Sequence, residues 1–297
     1  MTSHPILITG ATGNVGREII KILHEQQHSV RAAVVSDEDA KRLADSIPYQ
    51  RFDFTDAGTY QETFTGVKKM FLMRPPHISN IERDMKPAID YAIQSGVEHI
   101  VFLSLLGAEK NKIVPHAKVE KILLDSPVDY TLLRCGFFMQ NLSTTHRQDI
   151  QEHSDIFIPA GKGKTAFIDV RDIAAVAAKT LMEPGHERQV YPLTGSEALD
   201  YYQVAEIMTQ HLGRSIVYSN PSLPHFFWRF WRRGYPFGYI GVVSAIYLTT
   251  RFGMADTITP HTEELLGRAP ITLKQFVQDF SPVWRAYKTS ENGVAIQ

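Results

Sequence analysis

The sequence predicts an α/β fold, a doubly wound parallel sheet with a smaller, mainly helical C-terminal lobe. Three observations predict it. Short apolar runs alternate with helix-length amphipathic segments through the first half of the chain, the rhythm of βαβ units. The runs 6–8 and 100–103 are apolar at every position, as strands covered by helices on both faces are. After Phe138 the rhythm changes, and the remainder reads mainly as helix.

In chain order, residues 6–9 read as the first strand and 14–26 as a helix. Residues 29–35 are the second strand, 38–46 a short helix, and 49–52 a third strand ending at Asp53. The fourth strand, 69–73, is stopped by Pro75 and Pro76, because proline cannot donate to a ladder. A helix over 80–95 is closed by Gly96, and 99–104 is the fifth strand. A helix over 117–125 leads to the sixth strand, 130–134. Further on, 172–182 reads as a helix and 189–194 as a strand completing the sheet. Helices are then expected over 200–212, 224–233, 238–252, 262–266 and 273–280. The expected domains are a sheet domain over 1–182, joined by 189–194, and a substrate-binding lobe over 195–288; 289–297 is a frayed polar tail. A helical lobe over the carboxyl edge of the sheet would cover the crevice where open α/β sheets bind ligands.

Composition removes several function classes. The 31 basic and 32 acidic side chains give a formal charge of −1, so nothing is in surplus to neutralise a phosphate backbone, and nucleic acid is not expected as the main partner. The single cysteine, Cys135, cannot form an internal disulfide, and no charged leader opens the chain, so a cytoplasmic protein is expected. Residues 234–250 carry no charge and follow Arg229, Arg232 and Arg233. The run is shorter than the ~20 apolar residues of a spanning helix and is broken by Pro236, Gly238 and Gly241. A buried or pocket-lining helix is expected there, with a surface-lying membrane contact through Phe226, Phe227, Trp228 and Trp231 as a further reading.

The strongest local signal is Ile6-Leu7-Ile8-Thr9-Gly10-Ala11-Thr12-Gly13-Asn14-Val15-Gly16. Gly10 allows a sharp turn off the strand, Gly13 lets the backbone approach a pyrophosphate, and Gly16 lets the first helix pack closely on the sheet. The free N–H groups and dipole at that helix start attract phosphates. This is the dinucleotide-binding turn of a Rossmann-type domain; the alternative is a structural turn without a ligand.

The spacing Gly-x-x-Gly-x-x-Gly resembles the extended and atypical short-chain dehydrogenase/reductases. Later segments resemble the NmrA-like family in their order. They include Val30-Arg31-Ala32, Asp53-Phe54-Thr55-Asp56, Tyr130-Thr131-Leu132-Leu133-Arg134, Phe137-Phe138-Met139-Gln140-Asn141-Leu142 and Phe167-Ile168-Asp169-Val170-Arg171-Asp172. Within that family the chain is similar in style to quinone and triphenylmethane-dye reductases. The resemblance implies NAD or NADP as cofactor, held by Gly10, Thr12, Gly13, Asn14, Val15 and Gly16. It also implies Asp53 and Phe54 beside the adenine, and Met73, Arg74 and Pro75 beside the ribose or pyrophosphate. Ser36, Ser104, Phe138 and Asn141 complete the implied contacts. For Asp53 a turn-capping role stands equally open.

One departure concerns the cofactor. Many relatives end the second strand with an arginine that grips the 2′-phosphate of NADP; here that place holds Val35, followed by Ser36 and Asp37. An apolar side chain cannot neutralise a phosphate, and an acid near the ribose favours NAD. Lys41 and Arg42 remain within reach from the next helix, and Arg31 is a strand or cofactor-edge residue.

No tyrosine is followed four places later by lysine, so the Tyr-x-x-x-Lys acid pair is missing. The resemblance puts His116 in the catalytic place, as a proton donor to a quinone-like oxygen; a surface histidine at a helix start is the alternative. Cys135 is expected to pack as a small hydrophobe, with a reactive thiol as the lesser reading. His146, Gln148 and His153 are dispersed, no metal spacing occurs, and no Gly-x-Ser-x-Gly elbow points to a hydrolase. Phe137, Phe138, Trp228, Trp231, Tyr235 and Tyr239 are candidate pocket walls or ordinary core.

The expected activity is transfer of a hydride from NAD(P)H to a small conjugated acceptor: a quinone, dye or enone. The alternative is a non-catalytic NAD(P)-sensing regulator of the NmrA type, acting through protein contacts such as an apolar patch around 226–231. An epimerase or lyase using tightly held NAD fits the extended family but lacks the tyrosine acid.

Overall fold

In the computed structural model, which describes residues 4–285, strand and helix alternate from the first turn onward. The order is β1 (Ile6–Ile8), α1 (Asn14–Glu25), β2 (Val30–Val34), α2 (Asp37–Ala40), β3 (Tyr49–Arg51), α3 (Tyr60–Phe64), β4 (Lys69–Met73), α4 (Ile81–Asp84), α5 (Lys86–Gln94), β5 (His99–Leu105), α6 (Pro115–Leu124) and β6 (Asp129–Cys135). It continues with β7 (Phe137–Phe138), α7 (Arg147–His153), β8 (Asp155–Ile156), β9 (Lys164–Ile168), α8 (Val170–Met182), β10 (Gln189–Leu193) and β11 (Ala198–Asp200). Last come α9 (Tyr201–Leu212), β12 (Val217–Tyr218), α10 (Leu223–Arg232), α11 (Phe237–Arg251), α12 (His261–Leu266) and α13 (Leu273–Trp284).

Two compact units divide these elements. The first comprises residues 4–135, 170–193 and 260–269. Its seven strands run in the order β10-β6-β5-β4-β1-β2-β3, all parallel. On one face Leu7, Phe52, Met70, Phe102 and Leu132 join buried residues of α3, α5 and α6 in one core. On the other, α1 packs against α8, which also meets β4, β5 and β6. Both faces are sealed, so the middle of each central strand is mostly apolar, as in Met70–Leu72 and Ile100–Leu103. Strand order reverses between β1 and β4, which makes their carboxyl ends the switch point of the sheet.

The second unit comprises 136–169, 194–259 and 270–285. It holds the small sheets β11-β9-β7 and β12-β8, with α7, α9, α10, α11 and α13. Phe226, Phe230, Phe276 and Trp284 are fully buried in its core. Asp149 is also fully buried, and its carboxylate is met by Arg233 at 2.7 Å and Arg229 at 3.1 Å. A buried carboxylate needs such partners, and this one ties α7 to α10.

Several expectations change. The boundary does not separate consecutive blocks 1–182 and 195–288: 136–169 belongs to the second unit and 260–269 to the first. The physical tie is α12, which packs on α8 and β10, with Arg268 bonded to the buried Asp172 at 2.7 Å. The second unit carries strands as well as helices, and 289–297 lies outside the described residues. The helix expected over 80–95 is two helices, α4 and α5, with a break at Met85. Pro87 causes it, because proline offers no N–H and its ring clashes with the carbonyl four residues back. The helix expected over 38–46 stops at Ala40, and the chain continues in tight turns, Arg42 N to Asp39 O and Leu43 N to Ala40 O.

Candidate functional site

The glycine turn lies at the switch point, between β1 and α1. Gly10 has φ 62°, the left-handed region that favours glycine, and a Cβ there would stand 2.3 Å from the Met73 methyl carbon. A Cβ on Gly16 would stand 2.3 Å from the Gly10 carbonyl oxygen, so only glycine lets α1 begin so close to the turn. Gly13 donates its N–H to Gly10 O at 2.9 Å and forms the N-cap of α1 without a side chain. The first-turn N–H groups, at Asn14, Val15 and Gly16, therefore have no side-chain cap. Val15 is buried and Asn14 exposed. An uncapped helix start beneath a glycine-bounded turn fits the diphosphate of a dinucleotide.

Thr9 pins this turn to the neighbouring strand. Its hydroxyl donates to Phe71 O at 3.0 Å and accepts from Met73 N at 2.8 Å. Thr9 was no sequence candidate; it follows the apolar run and carries no motif of its own.

The end of β2 resolves three cations. Arg31 donates through Nη1 to Thr65 O, Thr63 O and Glu62 O at 2.8, 2.9 and 3.2 Å, closing the end of α3. It is a strand residue holding a helix end. Lys41 pairs with Glu38 at 2.5 Å. Arg42 reaches the turn itself: Nη2 donates to Thr12 O at 3.2 Å, and Nη1 lies 3.5 Å from Asp39. Val35 is exposed, and Ser36 caps α2 by accepting from Asp39 N. Asp53 accepts from Thr55 N and Oγ1, both at 2.8 Å, a turn-forming role. The Phe54 ring is buried 4.7 Å from that of Phe52, inside the core.

At the carboxyl end of β4, Met73 lies over Gly10 and Arg74 follows it. Arg74 Nη1 donates to Ile78 O at 2.7 Å, Pro75 O at 2.9 Å and Pro76 O at 3.2 Å, while its Nε is buried without a hydrogen-bond partner. Burial pulls its pKa below the ordinary arginine value. His116 stands in the first turn of α6, half-buried, its ring centroid 6.2 Å from that of Phe102. Burial, and then the nearby Arg74 charge, push its pKa down to about 4. The ring is therefore neutral at physiological pH. The half-buried ring does not fit the surface-histidine reading, and a lowered pKa weighs against an imidazolium proton donor.

Four residues after His116, on the same face of α6, sits Glu120. It is buried, accepts from Ser104 Oγ at 2.5 Å, and receives Arg134 at 2.7 Å and 3.0 Å. Register places Ser104 beside Arg134 on β5 and β6. Ser104 is thus held by a carboxylate, and α6 is anchored to two strand ends. Spacing from His116 was the only sequence signal for Glu120.

Phe138 and Asn141 belong to the second unit, in β7 and the 3-10 turn Met139–Asn141. Cys135 is buried; its thiol pKa is raised by burial and its Sγ faces Leu133 O at 3.5 Å, so packing describes it. Trp228 and Trp231 are half-exposed, whereas Phe137 and Tyr235 pack against the second core. Among the described residues no group of His, Cys, Asp and Glu is placed to hold a metal ion. A groove of about 410 Å³ between α5 and α6 is lined by Gln94, Ser126 and Pro127, which precede β5 and β6, so it opens at the opposite edge of the sheet.

The NmrA-like family model matches residues 2–262. An NAD(P)H azoreductase of Xenophilus azovorans is 33% identical over 219 residues, 72% of this chain and 76% of that protein. An Escherichia coli NADPH-dependent quinone oxidoreductase, solved with NADPH, superposes with TM-score 0.82 at 29% identity, covering 93% of this chain and 99% of that one. Citrobacter sp. triphenylmethane reductase, solved with NADP(H), gives TM-score 0.81 at 25% identity over the same shares.

Proposed function

Because the chain belongs to the NmrA-like family, we propose that this NAD(P)H-dependent oxidoreductase reduces a small, flat, conjugated acceptor of the quinone, dye or enone class. One observation carries the reading: the uncapped start of α1 at the switch point, with Met73 over Gly10. When bound, the nicotinamide cofactor supplies two electrons as hydride.

The protein's own part is positional and electrostatic. The turn from Gly10 to Gly16 holds the diphosphate through backbone N–H groups. Arg74 keeps a positive charge at the carboxyl end of β4, where negative charge developing on an acceptor oxygen is stabilised. His116, neutral above about pH 4, donates an N–H hydrogen bond to that oxygen. The proton that completes the reduced product comes from water. Glu120 fixes α6 through Arg134 and Ser104 and so holds His116 in place.

Steady-state oxidation of NADPH and NADH, measured against a benzoquinone, a naphthoquinone, an azo dye and a triphenylmethane dye, tests the proposal. Turnover with at least one class is expected. Cofactor binding without turnover of any of them would contradict it and favour the sensing role.

A further inference from the structure

Helix α11 is mostly apolar, its polar residues being Ser244, Thr249 and Thr250, with no charged side chain before Arg251. Such helices are normally covered on every side, by core or by lipid. Here only Ile240, Tyr247 and Thr250 are buried. Gly238, Gly241, Val242, Ala245 and Thr249 form an exposed face on the other side. Phe237 is 62% exposed and Val242 61%. The preceding helix, α10, packs on α11 and buries Phe226 and Phe230 while leaving Trp228 and Trp231 about half exposed. Phe237 joins the two helices, its ring centroid 5.7 Å from that of Phe227 and 6.3 Å from that of Trp231.

Charge narrows what covers this face. From Ile207 to Ala255 the chain contains no Asp or Glu, yet it carries Arg214, Arg229, Arg232, Arg233 and Arg251. Arg229 and Arg233 are spent on Asp149. Arg232 and Arg251 are exposed at the ends of the two helices, Arg232 stacked 4.9 Å over the Trp228 ring. A second copy of the chain would set the positive ends at Arg232 and Arg251 against their own like in a symmetric interface. A surface with apolar depth and anionic headgroups matches both features. Aromatic rings that are apolar in body and polar at one edge suit the headgroup boundary. Among the described residues no helix is long and apolar enough to cross a membrane, so the helices would lie in the boundary rather than span it.

We propose that the exposed face of α10 and α11 docks the protein on an anionic lipid surface through Trp228, Trp231, Phe237 and Val242, with Arg232 and Arg251 at the headgroups. This stands independently of the acceptor class proposed above.

Sedimentation of the full chain with vesicles of phosphatidylcholine, with and without phosphatidylglycerol, tests it. The protein should pellet with the anionic vesicles and be released as salt rises. Trp228→Ser, Trp231→Ser and Phe237→Ser combined should weaken binding by about tenfold or more, the worth of one large side chain leaving an apolar setting. These positions are exposed, so retained NAD(P)H binding and thermal midpoint verify the fold. Arg232→Glu with Arg251→Glu should abolish the preference for anionic vesicles. In the unaltered protein, tryptophan emission should shift to the blue on vesicle addition, because Trp284 is already fully buried and the change reports Trp228 and Trp231. Absence from both pellets, equal binding by the triple variant, or pelleting without an emission shift would overturn the proposal. So would a dimer in light scattering that the triple variant converts to monomer, which would assign the face to a second copy.

Discussion

A histidine in solution is about half protonated near pH 6.5. His116, desolvated and facing the Arg74 charge, is neutral down to about pH 4. Its place in the first turn of α6 acts the same way, since the positive helix end opposes a cation. A group with a depressed pKa loses its proton below neutrality, so turnover should stay flat between about pH 5.5 and 8 and show no fall as pH rises through 6.5. His116→Phe should lower kcat by about tenfold, the worth of one hydrogen bond at a developing charge, with cofactor affinity unchanged. His116→Gln, which keeps an N–H donor, should retain more of the rate. A rate that falls through pH 6–7 in the parent but not in His116→Gln would restore the imidazolium donor. Arg42 carries the second prediction at this scale. It is the cation that contacts the glycine turn at Thr12, while Arg31 and Lys41 are occupied elsewhere. Arg42→Ala should raise KM for NADPH by about tenfold and leave that for NADH unchanged, since a charge-assisted bond to the 2′-phosphate is lost. Equal effects on both cofactors would remove Arg42 from phosphate recognition.

Among the elements, α6 is anchored to two strands through one buried residue. Glu120 holds Arg134 and Ser104 together, and Arg134 also lies 3.2 Å from Glu109. Glu120→Ala leaves Arg134 with Glu109 as its carboxylate partner and strips Ser104 of its acceptor, so it should cost about 1.5–3 kcal/mol in thermal or denaturant unfolding. Replacing Arg134 by Met in the same chain should recover part of that loss, and no recovery would mean the two residues act separately. The strands were readable because both faces of the sheet are sealed: β4 matches the expected 69–73, and β1, β5 and β6 differ from expectation by only a residue or two at an end. The glycine turn was readable because a Cβ at Gly16 would meet the Gly10 backbone and one at Gly10 would meet Met73, in a left-handed residue. Glu120, Thr9 and Asp149 were not, since their partners are distant in sequence and each alone looks like an ordinary polar residue. The two-residue strands β7, β8 and β12 are too short to show an alternation.

For the whole molecule, the fold class was legible and the division of the chain was not. The chain leaves the first unit after Cys135, returns for 170–193, leaves again and returns for 260–269. Composition has no signal for such crossings, because α8 and α12 are ordinary helices of the first unit bounded on both sides by segments of the second. In the proposed function, the turn between β1 and α1 is where the cofactor binds, and hydride transfer depends on it. Calorimetric titration of the purified protein with NADPH and NADH, beside Gly13→Val, tests that turn most directly. A valine Cβ would stand 3.2 Å from Gly10 O, and the rest of the side chain would intrude on the diphosphate place. The account predicts saturable binding of at least one dinucleotide by the parent and its loss in a variant that still unfolds cooperatively. Equal binding by the folded variant, or none by the parent, would contradict it.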